Sequence, residues 1–331
     1  MRTGFLALSA LLILAVQANA APKPAPPSLG PKATVIRNTN LYVAPDTSSS
    51  RLAEISPGRE MVIGEKNGPW LRVFANTDEE TSRSQDAPVF GQEAAAVPVA
   101  GWVAAAGVVS TETPKGDLIL FGAAASLEKD AMLPRAPQSV AQGARLVYQR
   151  MADFFPQSPL APEAAWRSAD IRWQLQKADV FSLPSAHEKD AYVREQLDDE
   201  EFRKLKKTYP GTKWADLADW DLLDNKVCGD WQGSAKCPEK EAEMYEKYAR
   251  EHPDSPRAAE ALYNVVYRQG ALNDIYSANG EDKKAAEAKT RAITIAGNIA
   301  TKYPQSDYAA RAASLVYQMQ ESIPIYGADR Q

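Results

Sequence analysis

Histidine and cysteine are the scarcest reactive residues in this chain of 331: two of each. A Cys–His hydrolase would need an unpaired thiol beside a histidine. The spacing of Cys228 and Cys237 matches no zinc ligand pattern. Also absent are a Gly-rich phosphate loop, a G-x-S-x-G elbow and an H-E-x-x-H helix, so the common signatures of nucleotide, acyl-transfer and metalloprotease chemistry are missing. Positive charge is not in excess: the formal net charge is −5, which gives no reason to expect nucleic acid or an anionic membrane as partner. Beyond the N terminus no apolar run approaches the ~20 residues a membrane span requires.

The N terminus carries the one conspicuous apolar run. Arg2 is followed by Phe5 to Val16 and by the small-x-small triplet Ala18-Asn19-Ala20. This is the order of a secretory signal peptide, residues 1–20, cut after Ala20; a membrane anchor is the alternative, for which the run is short. No Cys stands at the cut, which argues against a lipid anchor. Residues 21–32, APKPAPPSLGPK, form a Pro-rich linker. Export predicts a periplasmic or extracellular location. In an oxidising compartment Cys228 and Cys237, nine positions apart in KVCGDWQGSAKCPEK, are expected to close a local loop worth roughly 2–3 kcal/mol in the chain-entropy model. A metal site built from these thiols with His187 and His252 is the rival reading.

Short strand-like runs follow: ATVIR (33–37), NLYVA (40–44), REMVIGE (59–65), WLRVFA (70–75) and GWVAAAGV (101–108). Pro45-Asp46, Ser56-Pro57-Gly58 and Asn67-Gly68-Pro69 separate them as turns. So many short strands in so short a stretch predict a small closed or nearly closed barrel over 33–110. LYVAPDTSSSRLAEISPGREMVIGEKNGPWLRV and the later GWV resemble a bacterial SH3-type (SH3b) domain, matching at Leu41, Val43, Pro57-Gly58, Asn67-Gly68, Trp70, Val73 and Gly101-Trp102-Val103. The sequence departs from that family at Ala44-Pro45-Asp46, where Arg-Ser-Gly is usual, and by a polar insertion over 76–98. The resemblance implies binding of cell-wall peptide or another short peptide. Tyr42, Trp70 and Trp102 are then the aromatic candidates, with core packing the competing role for the two tryptophans.

The second half repeats one phrase: FFPQSPLAPEAA at 154–165, TYPGTKWADLAD at 208–219, EHPDSPRAAEAL at 251–262 and KYPQSDYAARAA at 302–313. Pro156, Pro210, Pro253 and Pro304 precede by two positions Ser158, Thr212, Ser255 and Ser306. Alanines follow three and six positions after each hydroxyl residue. Proline stops a helix, Ser or Thr caps the next, and Pro159 and Pro256 suit its first position. Two alanines three apart let a neighbouring helix approach. Each copy therefore predicts a bend between two helices, and residues 116–131 and 137–155 read as the first pair. Residues 187–207 read as a heavily charged, solvated helix. The Tyr-Pro-x-Ser-x-x-Ala join is similar to tetratricopeptide-like (TPR-like) repeats of periplasmic cell-envelope proteins, although the prolines lie 54, 43 and 51 residues apart rather than at the usual period of about 34.

The expected fold is mixed: an SH3-like β-barrel at 33–110 followed by an α-helical TPR-like array, an α-solenoid, over 111–331. The expected function is that of an exported, non-catalytic scaffold of the cell envelope, with no cofactor and no nucleic acid. Its barrel would hold wall or other short peptide, and its helices would hold a protein partner. A lytic-transglycosylase-like enzyme remains an alternative, since 43 acidic residues are present and glycan cleavage needs only two. Its usual Glu-Ser motif has no good match, for Glu321-Ser322 lies almost at the C terminus. A structural adaptor whose barrel docks on its own helices is the third reading. Among the helical aromatics, Trp166, Trp173, Trp214 and Trp220 read as core. Trp231, inside the Cys-bounded loop, reads equally as a contact residue or as a cover for a helix end.

Overall fold

The computed structural model describes residues 30–77 and 98–327. The expected leader, most of the Pro-rich linker and nearly all of the polar insertion lie outside the described residues.

Seven strands come first: β1 Lys32–Val35, β2 Thr39–Tyr42, β3 Arg51–Ile55, β4 Met61–Asn67, β5 Trp70–Ala75, β6 Val99–Ala104 and β7 Val108–Ser110. They form one antiparallel sheet in the order β3-β2-β6-β5-β4-β1-β7. The sheet curls into a half-barrel and does not close. Alternation places Leu41, Ile55, Met61, Val73 and Val103 in a common interior. β3 had no clear sequence signal. The β2–β3 register shifts between Leu41 and Tyr42, so Leu52 has no partner on β2; it is exposed, while Ala53 and Ile55 are buried. The run 101–108 is two strands, because Gly107, at φ 94°, turns the chain between β6 and β7.

Nine helices follow among the described residues: α1 Gly116–Ala131, α2 Gln138–Phe154, α3 Ala161–Phe181, α4 Glu200–Thr208, α5 Lys213–Asp221, α6 Lys236–Glu251, α7 Ala258–Ala278, α8 Asp282–Lys302 and α9 Asp307–Gln320. None is long and apolar enough to cross a membrane.

All four prolines of the repeated phrase stand at bends between helices. The residue before each, Phe155, Tyr209, His252 or Tyr303, closes its helix with φ between −125° and −128° and ψ between 54° and 60°. The proline ring disfavours the α-region for its predecessor, so four copies reach one conformation. The hydroxyl residues act in two ways. Thr212 and Ser306 cap α5 and α9, accepting from the N–H of Ala215 and Tyr308. Ser158 and Ser255 instead accept from the N–H of Leu160 and Arg257 in a leading turn. Pro159 and Pro256 sit in that turn and precede α3 and α7 rather than opening them. Seven of the eight alanines of the phrase are buried, as close helix packing requires, and Ala309 is half-buried. Successive bends are stitched together: Tyr303 donates to the Pro253 carbonyl at 2.8 Å, and Tyr248 donates to the Asp216 carbonyl at 3.0 Å.

The expected solvated helix at 187–207 is a correction. Only Glu200 onward is helical; before it come two short 3-10 turns and irregular chain. This segment keeps many exposed charged side chains, as expected, but is also strapped down. Asn225 bonds both backbone groups of Leu197, at 2.9 and 2.8 Å, Arg194 donates to the Val227 carbonyl at 2.7 Å, and Leu197, Phe202 and Leu205 are buried. Charge density alone concealed those apolar anchors.

The sheet rests on the first helical pair. Ile36 and Val109 join Leu120, Val147 and Met151 in one cluster. At the Pro57-Gly58 turn, Gly58 has φ +82°, and a Cβ there would lie 2.4 Å from Leu146 Cβ and 2.6 Å from its carbonyl carbon. Only glycine allows so close an approach to α2. Arg150 of α2 completes the seam, donating to the Gly58 carbonyl at 3.0 Å and pairing with Glu60 at 3.5 Å.

Candidate functional site

Residues directly opposite across antiparallel strands project to the same face. The registers place Glu65 opposite Arg72, Arg72 opposite Trp102, Trp102 opposite Tyr42 and Tyr42 opposite Arg51. A single row therefore crosses β4, β5, β6, β2 and β3 on the face away from the interior. Trp70 stands two residues along β5 from Arg72, and its ring meets Tyr42 edge-to-face at 5.7 Å. The three candidates Tyr42, Trp70 and Trp102 are thus brought together. Both tryptophans are half-buried and lie outside the interior cluster. The interior on the other face explains Gly101: a Cβ there would come within 2.7 Å of the Leu41 side chain and 2.9 Å of the Tyr42 carbonyl oxygen.

The row mixes aromatic faces with cations at its flanks. Arg72 and Arg51 keep about half of their side-chain surface exposed, at 52% and 51%. Each has an acidic neighbour, Glu65 at 3.9 Å and Glu54 at 2.5 Å respectively. Phe74, further along the same face of β5, is 39% exposed. Aromatic planes beside partly exposed guanidinium groups suit a ligand with apolar and anionic or carbonyl groups. The sequence hinted at this face only through the alternation Trp70-x-Arg72-x-Phe74. The arginines were missed because cross-strand neighbours depend on register.

Trp231 does not join that face. It lies in the loop closed by the Cys228–Cys237 disulfide and packs at 5.9 and 5.4 Å from Tyr267 and Tyr326. Its indole N–H donates to Glu241 at 3.2 Å. Glu241, 1% exposed, also accepts from the Cys228 N–H at 2.9 Å and pairs with Arg268 at 3.1 Å. Arg268 lies against the rings of Trp231, Tyr245 and Tyr267. The buried carboxylate, its guanidinium and the disulfide together fasten this loop to α6 and α7. Trp231 is half-buried there.

The helical tryptophans also pack. Trp173 is buried against Phe202, Trp166 lies on Trp214, and Trp220 lies between Tyr245 and Tyr248. Trp166 donates to Asp221 at 3.2 Å. Burial, then the nearby Asp170 and Asp224 charges, push the Asp221 carboxyl up to about 8. His252 meets Asp216 at 2.8 Å and Asp219 at 3.5 Å, a contact between one bend and the preceding helix. Exposed His187 lies 3.7 Å from Asp230. Among the described residues no group of three or more His, Cys, Asp or Glu side chains is arranged to hold a metal ion. No family model matches the chain, and no curated protein matches it.

Proposed function

We propose that this chain is an exported, non-catalytic binding scaffold of the cell envelope, built from an SH3b-like half-barrel and a TPR-like helical array. The observation that carries the reading is the outward row of Tyr42, Trp102 and Arg72 with Trp70 beside it. Its aromatic rings stand on a solvent face where packing alone does not require them. Such a surface suits a short peptide: the rings take apolar side chains, and Arg72 and Arg51 take carboxylates or carbonyls. Cell-wall peptide is the ligand the exported setting favours, and the disulfide is in keeping with that setting. The helices, with bends stacked side by side, offer the larger surface for a protein partner.

The test is sedimentation of the mature protein with purified cell wall, with soluble muropeptides assayed in the same tubes. Pelleting without release, abolished by Trp102→Ala and by Tyr42→Ala in folded protein, is the expected result. Release of muropeptides that vanishes on replacing a single Glu would establish the glycan-cleaving enzyme instead. A second reading is favoured by the Gly58 seam: the half-barrel is a structural adaptor docked on its own helices. That seam uses the Pro57-Gly58 turn and Arg150, not the aromatic row, so docking leaves the row free to bind. Absence of any pelleting would leave the adaptor role alone.

A further inference from the structure

A cleft of about 520 Å³ opens between α6 and α8, with one face of α7 as its floor. Gln269, Leu272 and Tyr276 stand on that face at spacings of three and four, and all are buried. Ala288 of α8 adds a buried apolar wall. Gln269 is 4% exposed, and its carboxamide has no hydrogen-bond partner among the described residues. It is nevertheless not one of the polar atoms sealed from solvent; its open surface is in the cleft. Buried polar groups are normally bonded within the fold, so this one is left for whatever enters the cleft.

The rim is charged and exposed: Glu239 and Glu243 from α6, and Lys284, Glu287 and Arg291 from α8. Both cations are already paired with carboxylates outside the lining. Lys284 pairs with Glu281 and lies 5.2 Å from the centre of the Tyr276 ring, and Arg291 pairs with Glu246. Glu239 accepts from the Tyr276 hydroxyl. Glu243 and Glu287 have neither hydrogen bond nor ion pair among the described residues. Two rim carboxylates, and no rim cation, are thus left without a partner. The acids are not grouped to hold a metal ion. Their complement is an organic cation that also donates to a carboxamide. A lysine side chain has that form. Its ammonium carries three N–H donors, enough for Gln269 Oε1, Glu243 and Glu287, and its four-carbon stem packs on apolar surface, here Leu272 and Ala288. With no bond inside the fold, the Gln269 carboxamide is free to turn its oxygen towards the ammonium.

We propose that this cleft binds a lysine side chain of a protein partner, its ammonium held by Gln269, Glu243 and Glu287. The proposal rests on the reading of the helices as a docking surface, to which it adds the kind of residue recognised; it does not involve the aromatic row of the sheet.

The probe is the blocked peptide acetyl-Ala-Lys-Ala amide, titrated into the full mature chain carrying methyl-labelled Ala and Leu. The same peptide with norleucine in place of lysine keeps the stem and lacks the charge. The expected result is saturable shifts of the Leu272 and Ala288 methyls at millimolar lysine peptide, with at least fivefold weaker binding of the norleucine peptide. Replacing both Glu243 and Glu287 by Gln should weaken the lysine peptide at least fivefold and leave the melting temperature unchanged, because neither side chain has an internal partner to lose. Gln269→Leu should weaken it at least threefold, an effect that loose attraction to an acidic surface would not show. Should Gln269→Leu fail to fold, the peptide pair and the double Glu variant still decide the matter. Equal binding of the two peptides, silent cleft methyls, or wild-type binding by the double Glu variant or by folded Gln269→Leu would each overturn the proposal. Wall pelleting through Trp102 reads the sheet face alone, so the two can fail separately.

Discussion

Asp221→Asn offers the sharpest test of the helical packing. Asp221 is 8% exposed and accepts from Trp166 at 3.2 Å. Burial first, then repulsion from Asp170 and Asp224, partly opposed by Arg257, raise its carboxyl from 3.8 to about 8. In the unfolded chain it titrates near the ordinary value, ~3.9. Between those two values the native state holds a proton that the unfolded state has lost. Stability therefore falls as pH rises through this window and levels off above pH 8. The limiting slope is about 1.4 kcal/mol per pH unit for one group, or roughly 4–6 kcal/mol across the whole window. Asparagine keeps the shape and an oxygen for the Trp166 N–H but has no proton to lose. Its stability relative to wild type should be near zero at pH 4 and should rise steadily towards pH 8. Urea unfolding of both proteins at pH 5, 6, 7 and 8, followed by circular dichroism, measures the difference. A difference that does not change with pH would refute the reasoning, since it would mean that Asp221 ionises in the fold as it does in water.

Three other substitutions probe the joints. Gly58→Ala should cost about 2–5 kcal/mol, because it adds left-handed backbone strain to a clash with the α2 backbone; thermal unfolding reads the loss, and a melting point unchanged within 1–2 °C would contradict the seam. Replacing both Cys228 and Cys237 by Ser should remove roughly 2–3 kcal/mol, and reductant should lower the wild-type melting temperature while leaving the double variant unaffected. Glu241→Gln leaves the Arg268 charge among the aromatic rings without its carboxylate and should cost about 3 kcal/mol. Chemical denaturation checks this, and a neutral effect would show that the loop is held by its disulfide and rings alone.

Features that the chain determines locally are legible in its order of residues. A proline two residues before Ser or Thr acts within a few bonds, through the φ of its own ring, the conformation of its predecessor and a nearby hydroxyl. The four bends, and the closure of a short loop by Cys228 and Cys237, nine positions apart, followed from such short-range rules. The strand with clean alternation, β5, was readable for the same reason. Decided only in three dimensions were the properties set by partners distant in sequence. Pairing with β2 made a strand of Arg51–Ile55, and apolar anchors held the charged segment before α4 as an irregular strap instead of a helix. Cross-strand register put Trp102 between Tyr42 and Arg72 on an outward face. Helix packing gave Gly58 a second task against α2 and buried Asp221 among other acids. Dihedral preferences and caps are written residue by residue, whereas burial and pairing depend on which distant surfaces meet.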